Sequence, residues 1–135
     1  MIKNIDHIAV IVPDIDAALA FWRDALGLNL TQVEAVPAQE VEVAFLSVGQ
    51  GEIELVQPNA ADSGEAKFLA QYGAGMHHIA LEVEDLELML ARLKAKGVRL
   101  INETPVAAAK DRRAAFVHPE SASGVLVELY ESTLE

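Results

Sequence analysis

The sequence predicts an α+β domain made of two tandem modules, each a strand, a helix and three further strands. Three observations carry that prediction. Asp6-His7-Ile8-Ala9-Val10 returns as His77-His78-Ile79-Ala80-Leu81, and the interval from His7 to His78 is also the interval from Asp14 to Asp85. Farther on, Gly27-Leu28-Asn29-Leu30 is echoed by Gly97-Val98-Arg99-Leu100, and Ile53-Glu54-Leu55 by Val127-Glu128-Leu129. In both copies the hydrophobic residues change from a strand-like run to helical spacing directly after the aspartate. A repeat of this length decides the architecture before any single element is considered. Because 135 residues is a single-domain length, the copies share one domain: module one over residues 1–57, a linker over 58–75 and module two over 76–135.

Residues 3–12 alternate too little for a half-exposed strand and predict one covered on both faces, closed by Pro13. Asp14 is placed to cap the helix that follows. Ile15, Ala18, Leu19, Trp22 and Leu26 recur at helical spacing, Asp16 suits the positive end of the dipole, and Gly27 supplies a left-handed stop. Shorter strands are expected over 28–36, 41–48 and 51–57, broken by Pro37 and by Gly49-Gln50-Gly51, a tight hairpin signal. The polar linker holds a short helix over 65–72. From Met76 the order recurs: a strand to Val83, then a helix capped by Asp85, with Leu86, Met89, Leu90 and Leu93 on one face and Lys94, Lys96 and Gly97 at its end. Strands over 98–102, 112–118 and 124–130 complete the second copy. The connection from Glu103 to Asp111 is long and is expected to be mobile.

Composition narrows the function classes. A formal net charge of −11 argues against nucleic acid, whose phosphates demand a basic footprint that ten scattered Lys and Arg do not supply. Lys110, Arg112 and Arg113 form the densest basic cluster, the local patch that an anionic ligand would need. Cysteine is absent, which removes disulfides, thiolate nucleophiles and cysteine metal sites. No run has the length and apolarity of a membrane span, and Lys3, Asn4 and Asp6 occupy the place of a signal-peptide core. A cytoplasmic protein is expected.

Strands send alternate residues to opposite faces, so parity becomes an argument about chemistry. Ile8, Val10 and Val12, then Ile53 and Leu55, Ile79, Leu81 and Val83, and finally Val125, Val127 and Leu129 form apolar sets for the helices to cover. The opposite parity carries His7, Glu54, His78 and Glu128, with small Ala9 and Ala80 beside the histidines. Any one of the four alone reads as a hydrogen-bonded core histidine or a solvated glutamate. Together, at equivalent places in a repeat, two imidazoles and two carboxylates suit a divalent first-row metal. An octahedral ion held by four protein ligands keeps two positions for substrate, whereas a tetrahedral one would be saturated. His118, which has no counterpart in the first copy and precedes Pro119, reads as structural.

Paired modules with candidate ligands on their terminal strands resemble the vicinal oxygen chelate superfamily over essentially the whole chain. Within it, Asp6-His7-Ile8-Ala9, Ile53-Glu54-Leu55-Val56-Gln57-Pro58, Lys67-Phe68-Leu69, Gly75-Met76-His77-His78-Ile79-Ala80, Ala115-Phe116-Val117-His118-Pro119 and Gly124-Val125-Leu126-Val127-Glu128-Leu129 resemble the methylmalonyl-CoA epimerases. The resemblance implies a cupped, partly closed mixed sheet of the glyoxalase, bleomycin-resistance and dioxygenase type. It implies His7, Glu54, His78 and Glu128 as ligands of cobalt, manganese, nickel or zinc, a small acyl-CoA substrate epimerised at C2 through a metal-stabilised enolate, and a homodimer. Glu128 becomes the base on one face of the substrate. The family's second catalytic glutamate is expected where this chain has Ala38, and Glu40, two residues on, is the stand-in, ahead of Glu42. Ala107-Ala108-Ala109-Lys110-Asp111 replaces a glycine-rich stretch. Competing readings are a glyoxalase-like isomerase in which one glutamate serves both faces, a ring-cleaving dioxygenase, disfavoured by the extra Glu54, and a non-catalytic small-molecule-binding protein.

Overall fold

A computed structural model describes residues 1–132. It divides into two compact units, one formed by His7–His77 and the other by Met1–Asp6 together with the chain from His78 onward. The expected linker therefore belongs to the first unit, and the first residues of the chain belong to the second.

The first unit takes up strand β1 (Ile2–Ile11) from His7 on, helix α1 (Ile15–Leu19) running into a π-helical turn (Ala20–Ala25), β2 (Asn29–Val36), β3 (Val41–Val48), β4 (Gly51–Pro58) and α2 (Gly64–Tyr72). Its strands lie in the order β2-β3-β4-β1, with β1 parallel to β4 and the other neighbours antiparallel. The parallel pairing follows from the crossover through α1, and the β3–β4 hairpin from Gly49, whose φ of 57° opens a two-residue turn. Val12, Ile15, Leu19, Ala44, Leu46 and Leu55 bury the helix against one sheet face. Ser63 caps α2 by accepting the Ala66 N–H at 3.1 Å.

The second unit repeats the plan with β5 (Gly75–Val83), α3 (Leu86–Ala95), β6 (Val106–Ala107), β7 (Arg113–Val117) and β8 (Val127–Glu131), ordered β5-β8-β7-β6. Again the first and last strands pair parallel and the rest antiparallel. Val83, Leu86, Met89, Leu90, Ala115, Val117 and Leu129 form its core beneath α3. Residues 1–6 join this unit through Met1 O, which accepts from Glu84 N, and through Lys3 Nζ, which donates to Ser132 Oγ at 2.9 Å.

Four expectations about elements need correction. Asp14 sits at the N-cap of α1 with extended backbone, but its side chain makes no capping bond, and the N–H of Ile15, the first helical residue, goes to Gln57 Oε1 at 2.9 Å; Asp85 does cap, accepting from Leu88 N at 3.0 Å. The π-helical turn rotates the last residues of the first helix, so Leu26 leaves the apolar face and is exposed. Strand β1 is covered on both faces only from His7 on, Ile2 and Ile5 being exposed. Residues 98–102 form no strand, only a bridge from Leu100 to Val117, and the paired segment comes later, at β6. The Glu103–Asp111 connection carries β6 and a 3-10 turn (Ala109–Asp111), with Ala108 and Ala109 buried.

Candidate metal centre

In the first unit, β1 and β4 run parallel with Ala9 abreast of Glu54. That register puts His7, Ala9 and Ile11 on the sheet face opposite α1, together with Glu54 and Val56. On β3, Phe45 stands abreast of Glu54 and Val43 abreast of Val56, so those side chains share the face. Burial is nearly complete: His7 is 3% exposed and Glu54 5%. His7 Nδ1 and Glu54 Oε2 lie 2.9 Å apart.

The second unit reproduces this arrangement residue for residue. Ala80 stands abreast of Glu128 on the parallel β5–β8 pair, and Phe116 of β7 stands abreast of Glu128 from the other side. His78 Nε2 is 2.9 Å from Glu128 Oε1, with the two residues 8% and 4% exposed. The Phe116 ring meets the His78 imidazole edge-on, centroids 5.5 Å apart. Each module thus builds one buried histidine–glutamate pair, with a methyl side chain leaving room on one side and a phenyl ring excluding water on the other.

These pairs fit a divalent ion. Donor atoms about 2.1 Å from a common centre lie about 3.0 Å apart when they meet at right angles, and about 3.4 Å apart at the tetrahedral angle. The 2.9 Å spacing in both pairs is that of a histidine–carboxylate ion pair, and it is close enough for the two side chains to be neighbouring ligands of one ion. The carboxylate in each pair supplies negative charge that offsets part of the cost of removing a cation from water.

Other singled-out residues fall elsewhere. Glu40 does not continue the parity of β3. It stands exposed on the turn after Pro37–Gln39, with a left-handed φ of 56° and its carbonyl accepting from Asn59 N. Glu42 shares the parity of Ala44 and Leu46, and so faces the α1 side with Asp14 and Asp16 around a cavity of about 250 Å³. The basic cluster is dispersed. Arg113 pairs with Glu87 at 2.8 Å and with Glu131, which holds its guanidinium well above the usual range. Arg112 is largely buried, donates to Glu131 O, lies 3.5 Å from Asp6 and 3.6 Å from Glu82, and stacks 4.0 Å over the Tyr130 ring. His118 is structural as expected, its Nδ1 accepting the Glu120 N–H at 3.0 Å to start a 3-10 turn.

Sequence reasoning missed Phe45 and Phe116, although they are equivalent in the repeat and an alignment of the two halves would have paired them. It also missed Tyr130, which follows Glu128 on the same face of β8 and donates to Ala109 O at 2.6 Å, folding the Ala108–Arg112 segment over Ala80 and Ala114. Nothing local in the sequence marks that long-range bond.

The fold has counterparts among known proteins. Residues 6–116 match the Glyoxalase/Bleomycin resistance protein/Dioxygenase superfamily, and the chain belongs to it. Within the superfamily it is 36% identical to the mitochondrial methylmalonyl-CoA epimerase of Mus musculus over 130 residues, 96% of this chain and 73% of the relative. It is 37% identical over 131 residues to the ethylmalonyl-CoA/methylmalonyl-CoA epimerase of Cereibacter sphaeroides, covering 96% of this chain and 98% of that one. Among solved structures, a variant of the Streptomyces coelicolor methylmalonyl-CoA epimerase in complex with 2-nitronate-propionyl-CoA superposes with a TM-score of 0.94 at 33% identity, covering 98% of this chain and 96% of that one.

Proposed function

We propose that this chain is a methylmalonyl-CoA epimerase that works with one divalent ion held jointly by His7, Glu54, His78 and Glu128. The observation that carries the reading is the repeated buried histidine–glutamate pair, in a chain similar to epimerases over nearly its full length. Cobalt, manganese, nickel or an expanded zinc site would suit two nitrogen and two oxygen donors.

The reaction removes the acidic proton at C2 of the thioester and returns one to the opposite face. When bound, the ion supplies Lewis acidity that lowers the cost of enolate formation. The residues supply the rest. Glu128 takes the proton from C2 with a carboxylate oxygen, and burial keeps competing water away from that oxygen. His78 fixes the Glu128 carboxylate, and Phe116 packed edge-on fixes the His78 ring. Glu40 enters the chemistry only if its turn moves, and Glu40→Gln turnover measures whether it does.

Metal-loaded protein incubated with methylmalonyl-CoA in deuterated water should label C2 well above background, and no label would end this reading. The exposed placement of Glu40 favours one second reading, a glyoxalase-like isomerase with a single base; turnover of a hemithioacetal without acyl-CoA turnover would select it. The proposal includes a cytoplasmic location and a homodimer, the dimer supported by the outer edges that β2 and β6 present at the ends of the strand order among the described residues. No described helix is long and apolar enough to cross a membrane.

A further inference from the structure

In a chain where acids outnumber bases 21 to 10, acidic side chains line the cavities beside the helix starts. Glu84, Asp85, Glu87 and Glu131 surround the one at α3, and Asp14, Asp16 and Glu42 the one at α1. A further cavity of about 420 Å³ opens between α3 and the sheet of the second unit, and no acid lines it. Apart from Ser121, its polar side chains are two cations, Arg92 and Lys96. The rest of the wall is apolar and includes Ile2, Leu81, Leu93, Val98, Ala122 and Val127. Every lining residue belongs to that one unit.

The internal repeat accounts for the open space. The interval that carries His7 onto His78 carries Trp22 onto Leu93, and each packs against its own unit's core. Where the first unit sets an indole, the second sets a smaller isobutyl group. Met89, in place of Ala18, adds bulk one turn earlier and forms another part of the wall.

The two cations are complementary to an anion. Arg92 and Lys96 stand one turn apart on α3, both exposed, and neither side chain has a partner among the described residues. Their neighbours are already paired: Lys94 with Glu103 at 3.3 Å, Arg99 with Glu120 at 2.7 Å and Arg113 with Glu87 at 2.8 Å. Cations at the end of α3 also suit the helix dipole, but that role requires neither an apolar cleft beside them nor the exclusion of acids from it.

We propose that this cleft binds the anion of a free fatty acid, its alkyl chain lying along Leu81, Leu93, Val98 and Val127 and its carboxylate held by Arg92 and Lys96. The volume falls at the lower end of the roughly 300–1,000 Å³ that small-molecule sites span, which suits one chain of medium length. Exposed ion pairs contribute little each, so burial of methylenes supplies most of the affinity and the cations select the sign of the head group. Leu81 and Leu129 stand abreast on the helix-covered face of the sheet, opposite in parity to Ala80 and Glu128. The cleft is therefore separate from the histidine–glutamate pair, and the proposal does not depend on the epimerase reading.

Calorimetry on the full-length protein with sodium octanoate, decanoate and dodecanoate, below their micelle concentrations, tests this, with decanol and decyltrimethylammonium as head-group controls. Each added methylene should tighten binding about two- to fourfold until the cleft is full. Decanoate should bind at least about tenfold more tightly than decyltrimethylammonium. Arg92→Gln/Lys96→Gln, on an exposed rim, should keep the fold and lose about fivefold or more in decanoate affinity, with decanol unchanged. Lys94→Gln, outside the wall, should change neither. Leu93→Trp, which copies the first module, should abolish binding, and methyl NMR of wild type should show decanoate shifting Leu81, Val98 and Val127.

Equal affinity for the two charged probes, full decanoate affinity in Arg92→Gln/Lys96→Gln or in folded Leu93→Trp, or methyl shifts confined to other residues would overturn the proposal. So would loss of a wild-type assembly in sedimentation of the rim variant, which makes the face a contact between copies. Binding to phosphatidylglycerol vesicles with none to free decanoate would overturn it in favour of a lipid surface. The rim variant and the NMR titration decide the matter even where Leu93→Trp fails to fold.

Discussion

At the scale of single residues, the molecule sets its chemistry by what stands beside each ionisable group. His78 is held between Glu128 and the Phe116 edge, and replacing it with alanine removes a donor that no neighbour replaces. His78→Ala is expected to weaken cobalt binding by more than the roughly 10–100-fold that outer-shell partners carry, read by calorimetry. Tyr130 shows the same logic for stability. Its hydroxyl donates to a carbonyl in a buried segment, so Tyr130→Phe leaves Ala109 O with its bond from Arg112 N alone and should cost about 0.5–1.5 kcal/mol in denaturant unfolding. Arg112 draws on geometry as well as charge: its planar guanidinium stacks on Tyr130 while reaching Asp6, Glu82 and the Glu131 carbonyl. Lysine cannot reproduce that fork, so Arg112→Lys should destabilise nearly as much as Arg112→Ala.

At the scale of elements, the two helices occupy equivalent places yet are started differently. Asp85 accepts from Leu88 N, whereas the Asp14 side chain caps nothing and the first N–H of α1, that of Ile15, goes to Gln57. Asp85→Ala should therefore cost about 1 kcal/mol and Asp14→Ala clearly less, a contrast that paired chemical denaturation curves resolve. Helix α3 earns its place through Leu86 and Leu90, 1% and 3% exposed; Leu90→Ala should cost about 2–5 kcal/mol through lost transfer energy and an unfilled cavity. Arg113 links the first turn of α3 to β8 and holds the Glu87 carboxyl below its usual range. A depressed acid contributes stability above its unfolded pKa and loses it as pH falls through the folded one. Glu87 is exposed, so that contribution is small and weakens in salt.

At the scale of the whole molecule, duplication is the organising fact, and sedimentation should report a dimer, a monomer at micromolar concentration counting against the proposed assembly. The repeat of Asp6-His7-Ile8-Ala9 in His77-His78-Ile79-Ala80, with period-two parity, was enough to place His7, Glu54, His78 and Glu128 on the faces opposite the helices. Those assignments depend on backbone geometry that holds wherever a strand forms, and the helix stops at Gly27 and Gly97 depend on left-handed backbone that glycine adopts freely, with φ of 89° and 78°. Parity has no hold on Glu40, because its backbone turns left-handed before β3 begins and a strand rule has no force on a turn. Residues 98–102 read as a strand, yet they meet β7 through a single bridge. The tertiary structure alone decided what depends on contacts far apart in the chain: Gln57 accepting the Ile15 N–H, Tyr130 folding Ala109 over the sheet, and Arg112 and Arg113 pairing with acids. Local pattern selects conformation and face, but the partner of a hydrogen bond or charge is chosen by proximity that only folding creates.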